Sequence, residues 1–216
     1  MRSIILTVLF AFALAAPAGA QTPCAPETGK TDKCAVTGGD PAALTPSQKI
    51  AAFQALVKAE IQKNMTDARK QAFLNRLHDY FDFATMAEAA LFGEWEKLTI
   101  EQRAQFTVAF TGMLQRSYLK KLYSHADYVA TIGLEKLKGD KAQVATKLTK
   151  AQKGSSPVDV TYRLQKTKQG WRLYDVLTDE VSLVRNYRST FADLIKSKGF
   201  SGLMDHLKKQ NAGPLP

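Results

Sequence analysis

The chain has 216 residues, 45% of them hydrophobic and 23% charged, with a formal net charge of +10. That length is enough for one domain with a sizeable core. The 30 lysines and arginines are spread along the whole sequence, with no dense basic run and no aromatic RNA-binding signature. This argues against nucleic acid and leaves anionic lipid head groups or acidic partner surfaces as the use of the charge.

Residues 1–20 read as a cleaved export signal. Arg2 is the positive n-region, "IILTVLFAFALAA" the apolar h-region, and "AGA" places small residues ahead of cleavage after Ala20. The apolar run is too short for a membrane span, and no later window approaches spanning length. Cleavage leaves 196 residues from Gln21 onward, with a net charge of +9, outside the cytoplasm. Cys24 is not a lipoprotein cysteine, because "QTP" stands where a Leu-small-small run is required. Cys24 and Cys34 lie ten apart in a flexible leader, residues 21–45, and are a disulfide candidate in an oxidising compartment. Such a bridge staples a tail and not a core.

Periodic sequence begins at Thr45, an N-cap followed by first-turn Pro46. The helix it opens carries Ile50, Phe53, Leu56, Val57 and Ile61 on one face. A second helical pattern, about 67–83, carries Phe73, Leu74, Leu77, Tyr80 and Phe81, and a short helix with Met86 and Leu91 leads to Gly93. Thr99 and Gln102 form a capping box for the longest helix, which runs to about Tyr123 with Phe106, Phe110, Met113, Leu114, Tyr118 and Leu122 on one face. The period then switches to two. Tyr128, Ala130, Ile132 and Leu134 alternate in a first strand, and Ala142, Val144, Thr146 and Leu148 in a second. Val158, Val160, Tyr162 and Leu164 follow in a third, and Trp171, Leu173 and Leu177 in a fourth, where Asp175 interrupts the apolar face. Two helices, about 182–198 and 201–210, close a single domain spanning 46–210, and 211–216 are a tail. The expected fold is α+β: helices packed on a four-stranded antiparallel meander.

Chemistry is hard to find. His78, His125 and His206 are scattered without zinc-ligand spacing, and there is no nucleophile elbow, phosphate-cradling loop or Ser-x-x-Lys. No catalytic residue, metal site or cofactor is assigned. Asp82 and Asp175 are the acid/base candidates that remain, and pairing of Asp175 with Arg185 or Arg188 is the expected use of that carboxylate.

Two stretches, "LFGEWEKLTIEQRAQFTVAFTGMLQRSYLKKLY" and "PVDVTYRLQKTKQGWRLYDVLTDEVSLVRNYRSTF", resemble the MlaC family, the toluene-tolerance auxiliary proteins. The likeness rests on Gly93, Trp95, Gln102, Arg103, Phe106 and Tyr118, then on Pro157-Val158, Tyr162, Gly170-Trp171 and Tyr174-Asp175-Val176. "SLVRNYRSTF", and "FDF" followed by Met86, fit as well. It covers about 45–207. Asp179-Glu180-Val181 departs from the family's usual Glu-Gly-Val, and the leader with its two cysteines is outside the pattern. The resemblance implies a nuclear-transport-factor-two-like fold that encloses an apolar cavity. It also implies a periplasmic carrier that exchanges phospholipid, without a cofactor, to maintain outer-membrane lipid asymmetry. The implied partners are phospholipid, an outer-membrane lipoprotein–porin complex and an inner-membrane ABC transporter with an Mce-domain subunit.

On this reading Phe106, Phe110, Met113 and Leu114 face Tyr162, Leu164, Trp171 and Leu173 across the cavity. Tyr118, Val144, Val160, Val184, Tyr187 and Phe191 complete the lipid-binding set. Lys120, Lys121, Arg185 and Arg188 are the head-group or partner contacts. Three other readings stand beside it: a hopanoid or polyisoprenoid carrier, a small cone-fold enzyme acting through Asp175 or Asp82, and an exported scaffold with a filled core.

Overall fold

A computed structural model describes residues 44–61, 65–124, 128–150 and 156–216, the backbone alone for 122–124. The signal, Cys24 and Cys34 lie outside the described residues. Helix α1 (Pro46–Glu60) starts as its sequence dictates: Thr45 Oγ1 accepts from Gln48 N, and Gln48 Oε1 accepts from Thr45 N. Helix α2 (Asp67–Arg76) is capped by Thr66 and ends in a 3-10 turn, Leu77–Asp79. Helix α3 (Phe83–Ala90) is capped by Asp82, and the long helix α4 (Ile100–Ser124) opens on the expected Thr99–Gln102 box.

The strands are β1 (Tyr128–Lys138), β2 (Lys141–Lys150), β3 (Val158–Thr167), β4 (Gly170–Thr178) and β5 (Val181–Ser182), paired antiparallel in the order β1-β2-β3-β4-β5. Among the described residues the sheet therefore has five strands, one more than expected. The added strand is two residues long and follows a tight turn in which Asp179 and Glu180 both have positive φ, 46° and 66°. Helix α5 (Leu183–Asn211) closes the chain, split at Gly199 (φ 68°, ψ −178°), a conformation open essentially to glycine alone.

Three local features depart from simple periodicity. The second helical pattern stops before Phe83, because Tyr80–Asp82 runs beside β4. Leu173 N donates to Tyr80 O and Asp82 N to Leu173 O, at 2.8 and 2.7 Å. Backbone pairing there overrides a helical period that Leu77 and Phe81 would otherwise continue.

Second, the β1–β2 register shifts between Ile132 and Glu135. A residue inserted at such a bulge moves the following side chains to the other face. Leu134, expected inward, is 63% exposed, and Glu135 turns toward α1, accepting from Ser47 N and Oγ.

Third, β4 shifts against β3, so that Tyr174 and Asp175 lie opposite Arg163 while Leu173 pairs with Leu164 and Val176 with Tyr162. Val176, not Asp175, thus continues the apolar face. The helices cover that face, and the buried side chains of sheet and helices form one continuous core.

Candidate apolar binding site

The helices do not seat perfectly on the sheet. Between α3, α4, β4 and the start of α5 lies an apolar cavity of about 50 Å³, lined by Leu77, Phe81, Phe83, Met86, Leu114, Gln115, Tyr118, Val176 and Leu183. Its one amide, Gln115 Nε2, donates to Leu74 O at 3.0 Å. Around it the rings interlock: Phe81 lies 5.5 Å from Phe83 and 6.3 Å from Tyr118, and Phe53 packs on both Phe81 and Tyr118. Burial pushes the Tyr118 hydroxyl well above the usual phenol range, with Tyr162 adding to the effect, and burial does the same to Tyr162. Both stay neutral, so the walls carry no charge. Pockets for drug-sized ligands run to about 300–1,000 Å³. At its present size the cavity admits a diacyl lipid only if the helices move off the sheet.

Of the fourteen residues expected to bind lipid, Leu114 and Tyr118 line this cavity. Val144, Val160, Tyr162, Leu164 and Leu173 are buried on the apolar face of the sheet, and Trp171 is half-buried at its end. Tyr162 packs against Phe53 of α1, 6.4 Å between ring centres. Phe106 and Phe110 do not face them across a void. They join Trp95, Tyr187 and Phe191 in a second aromatic group that locks α4 to α5, with centroids 5.3 to 6.5 Å apart. Met113 and Val184 are buried nearby in the same core. The residues missed are Leu77, Phe81, Phe83, Met86, Gln115, Val176 and Leu183. The signal for three of them was in the "FDF" segment followed by Met86.

The carboxylates are structural. Asp175 Oδ1 accepts from the backbone N–H of Val176 (2.9 Å) and Val184 (3.2 Å), and Oδ2 from Ser182 Oγ (2.7 Å) and Arg163 Nη1 (3.2 Å). The expected partner was Arg185 or Arg188; the bulge at Tyr174 instead aims the carboxylate at Arg163 across the strand pair. Ser182 is also the N-cap of α5, so one carboxylate joins β3, β4, β5 and α5. Asp82 caps α3 through Thr85 N and accepts from Gln165 Nε2 at 2.8 Å.

Of the four expected contact residues, Arg185 and Lys120 are exposed and Lys121 is half-buried, its ammonium pKa lowered by that burial. Arg188 is packed: Nε donates to Ala89 O and its guanidinium lies 4.6 Å above the Phe92 ring. A larger open hollow of about 550 Å³ lies between α4 and the end of α5. Its lining mixes Ala109, Met204 and Ala212 with the charged Asp205 and Lys208 and the amide of Asn211, so unlike the smaller cavity it carries charge on its wall. Among the described residues no group of three His, Cys, Asp or Glu is placed to hold a metal, and no helix is long and apolar enough to cross a membrane.

The family model of the MlaC protein matches residues 48–209. Among solved structures, the chain is similar to the phospholipid-binding protein from Ralstonia solanacearum in complex with a phospholipid. The TM-score is 0.68 at 22% identity, covering 78% of this chain and 97% of that one. Neither description names an enzyme.

Proposed function

The chain belongs to the MlaC family, and from that premise we propose that it is a phospholipid carrier working by non-covalent exchange. The observation that supports this most is the uncharged, apolar cavity between sheet and helices in a fold shared with a protein solved around a phospholipid. Each buried methylene contributes about 0.8 kcal/mol, so two chains of roughly fifteen methylenes gain on the order of 20 kcal/mol by leaving water. That is ample to move α3 and α4 off the sheet and swell the cavity, with the charged head group left in solvent. It also makes spontaneous release far too slow, so loading and unloading take place on docking partners.

Those partners are an outer-membrane lipoprotein–porin complex and an inner-membrane ABC transporter with an Mce-domain subunit, and the compartment is the periplasm, reached through the signal at residues 1–20. The deciding experiment is native mass spectrometry of gently purified protein, with the lipid extracted and its head group identified. A phospholipid at one equivalent is expected. Protein that is empty from several preparations, or that holds a polyisoprenoid, overturns the reading.

A further inference from the structure

Two hairpin turns close the same end of the sheet, Lys138–Lys141 between β1 and β2 and Thr167–Gly170 between β3 and β4. They lie side by side: Lys166 N donates to Asp140 O at 2.8 Å, and Lys141 pairs with Gln165. The register therefore gathers Lys136, Lys138 and Lys141 with Lys166 and Lys168, all exposed, around a single exposed carboxylate, Asp140. Among the described residues none of the five forms an ion pair. Beside them Leu134 and Leu137 stand 63% and 61% exposed, the first turned out by the β1 bulge.

We propose that this lysine-rich end of the sheet docks on the surface of an anionic lipid bilayer. Lysines attract acidic head groups and can snorkel while neighbouring leucines reach the acyl boundary. A stable protein partner would bury about 800 Å² on each side, more than two short turns present, whereas a bilayer imposes no shape. The position is useful to a carrier. Gln165 Nε2 donates to Asp82 Oδ2 and Thr85 Oγ1, both at 2.8 Å, so the start of α3, whose Phe83 and Met86 line the cavity, adjoins the docking end. The inference does not need the cavity to hold lipid.

The test is sedimentation of the purified chain with phosphatidylcholine vesicles, with and without phosphatidylglycerol. Binding to the anionic vesicles alone is expected. Each lysine near such a surface is worth about fivefold in affinity, so Lys136→Gln/Lys138→Gln/Lys168→Gln should lose about 100-fold. Leu134→Ser/Leu137→Ser should also weaken binding. All five side chains are exposed, so thermal melting should not change, and any contribution from residues 1–43 is common to every variant. Equal binding to neutral vesicles, or wild-type affinity in either variant, overturns the proposal. So does a dimer that the leucine changes abolish without any vesicle binding. Lipid co-purifying with these variants at the wild-type level leaves the carrier reading standing whichever way docking falls.

Discussion

Asp175→Ala is the sharpest test of how the sheet is joined to α5. The substitution removes the acceptor for Arg163 Nη1, Ser182 Oγ and two backbone N–H groups, in a site where the residue is only 4% exposed. The Ser182 hydroxyl can turn elsewhere and Arg163 is partly exposed, but the amides of Val176 and Val184 have nowhere to go. Stranding buried donors costs about 1–3 kcal/mol each, and breaking a buried charge pair about 3–5 kcal/mol. A loss of about 3–5 kcal/mol is therefore expected, a large share of the 5–15 kcal/mol typical of a whole domain. Asp175→Asn keeps an oxygen for the two amides but turns an NH₂ toward Arg163, and should cost about 1–3 kcal/mol. Arg163→Ala should cost less than Asp175→Ala, since three hydrogen bonds to the carboxylate survive. Urea unfolding followed by fluorescence of Trp95 and Trp171, the two tryptophans, measures each difference. A cost below about 1 kcal/mol for Asp175→Ala, or Arg185→Ala proving more damaging than Arg163→Ala, would refute the assigned network.

Three further outcomes follow from the packing. Met86→Trp fills the cavity at a stability cost of about 1–3 kcal/mol and should abolish lipid co-purification while the protein still melts cooperatively; unchanged lipid content would place the lipid elsewhere. Phe110→Ala opens the α4–α5 aromatic group and should cost about 3–5 kcal/mol. Lipid stoichiometry in the folded fraction should be unchanged, and a selective loss of lipid would move the site to that group. Tyr118, Tyr162 and Tyr187 all have pKa values raised by burial above the usual 10.0. Above pH 10 the unfolded chain ionises these phenols while the folded one keeps them protonated, so stability falls as pH rises from that point. Phenolate absorbance should show these three titrating only as the protein unfolds; smooth titration of every tyrosine near pH 10 in the folded state would contradict their burial.

What could be read in advance was what depends on neighbours in sequence. Thr45–Gln48 and Thr99–Gln102 are three-residue signals, and both caps form as written. Four of the five strands follow from alternation, and Gly199 divides α5 where a helix would otherwise run on. The failures share a cause. Two one-residue bulges, at Leu134 and Tyr174, leave no mark in composition, yet each reverses which side chains face the core. The first turned a core leucine into a surface one. The second removed Asp175 from the apolar face and gave it Arg163, twelve residues back on another strand, in place of an arginine on the next helix. Tyr80–Asp82 reads as helix from its neighbours because its partner, the edge of β4, is some ninety residues away. Aromatic residues announce burial but not company: nothing in the sequence separates Phe81 and Phe83, which line the cavity, from Phe106 and Phe110, which pack between α4 and α5.

Charge shows the same limit most clearly. Along the sequence the lysines look evenly scattered, and the four cations singled out, Lys120, Lys121, Arg185 and Arg188, lie near the end of α4 and the start of α5. Their side of the sheet is the one where β1 begins and β4 ends, since Tyr128 pairs with Lys150 and Thr178 with Val160. The opposite end is assembled only by antiparallel register, which folds residues 136–141 against 166–168 and stacks five exposed lysines around one carboxylate. Repulsion among exposed charges is screened within about 8 Å at physiological ionic strength, so a cluster at a sheet end costs the fold little. It nevertheless sets up a local field that an even distribution would not, at the end of the sheet that Gln165 ties to the start of α3 through Asp82 and Thr85.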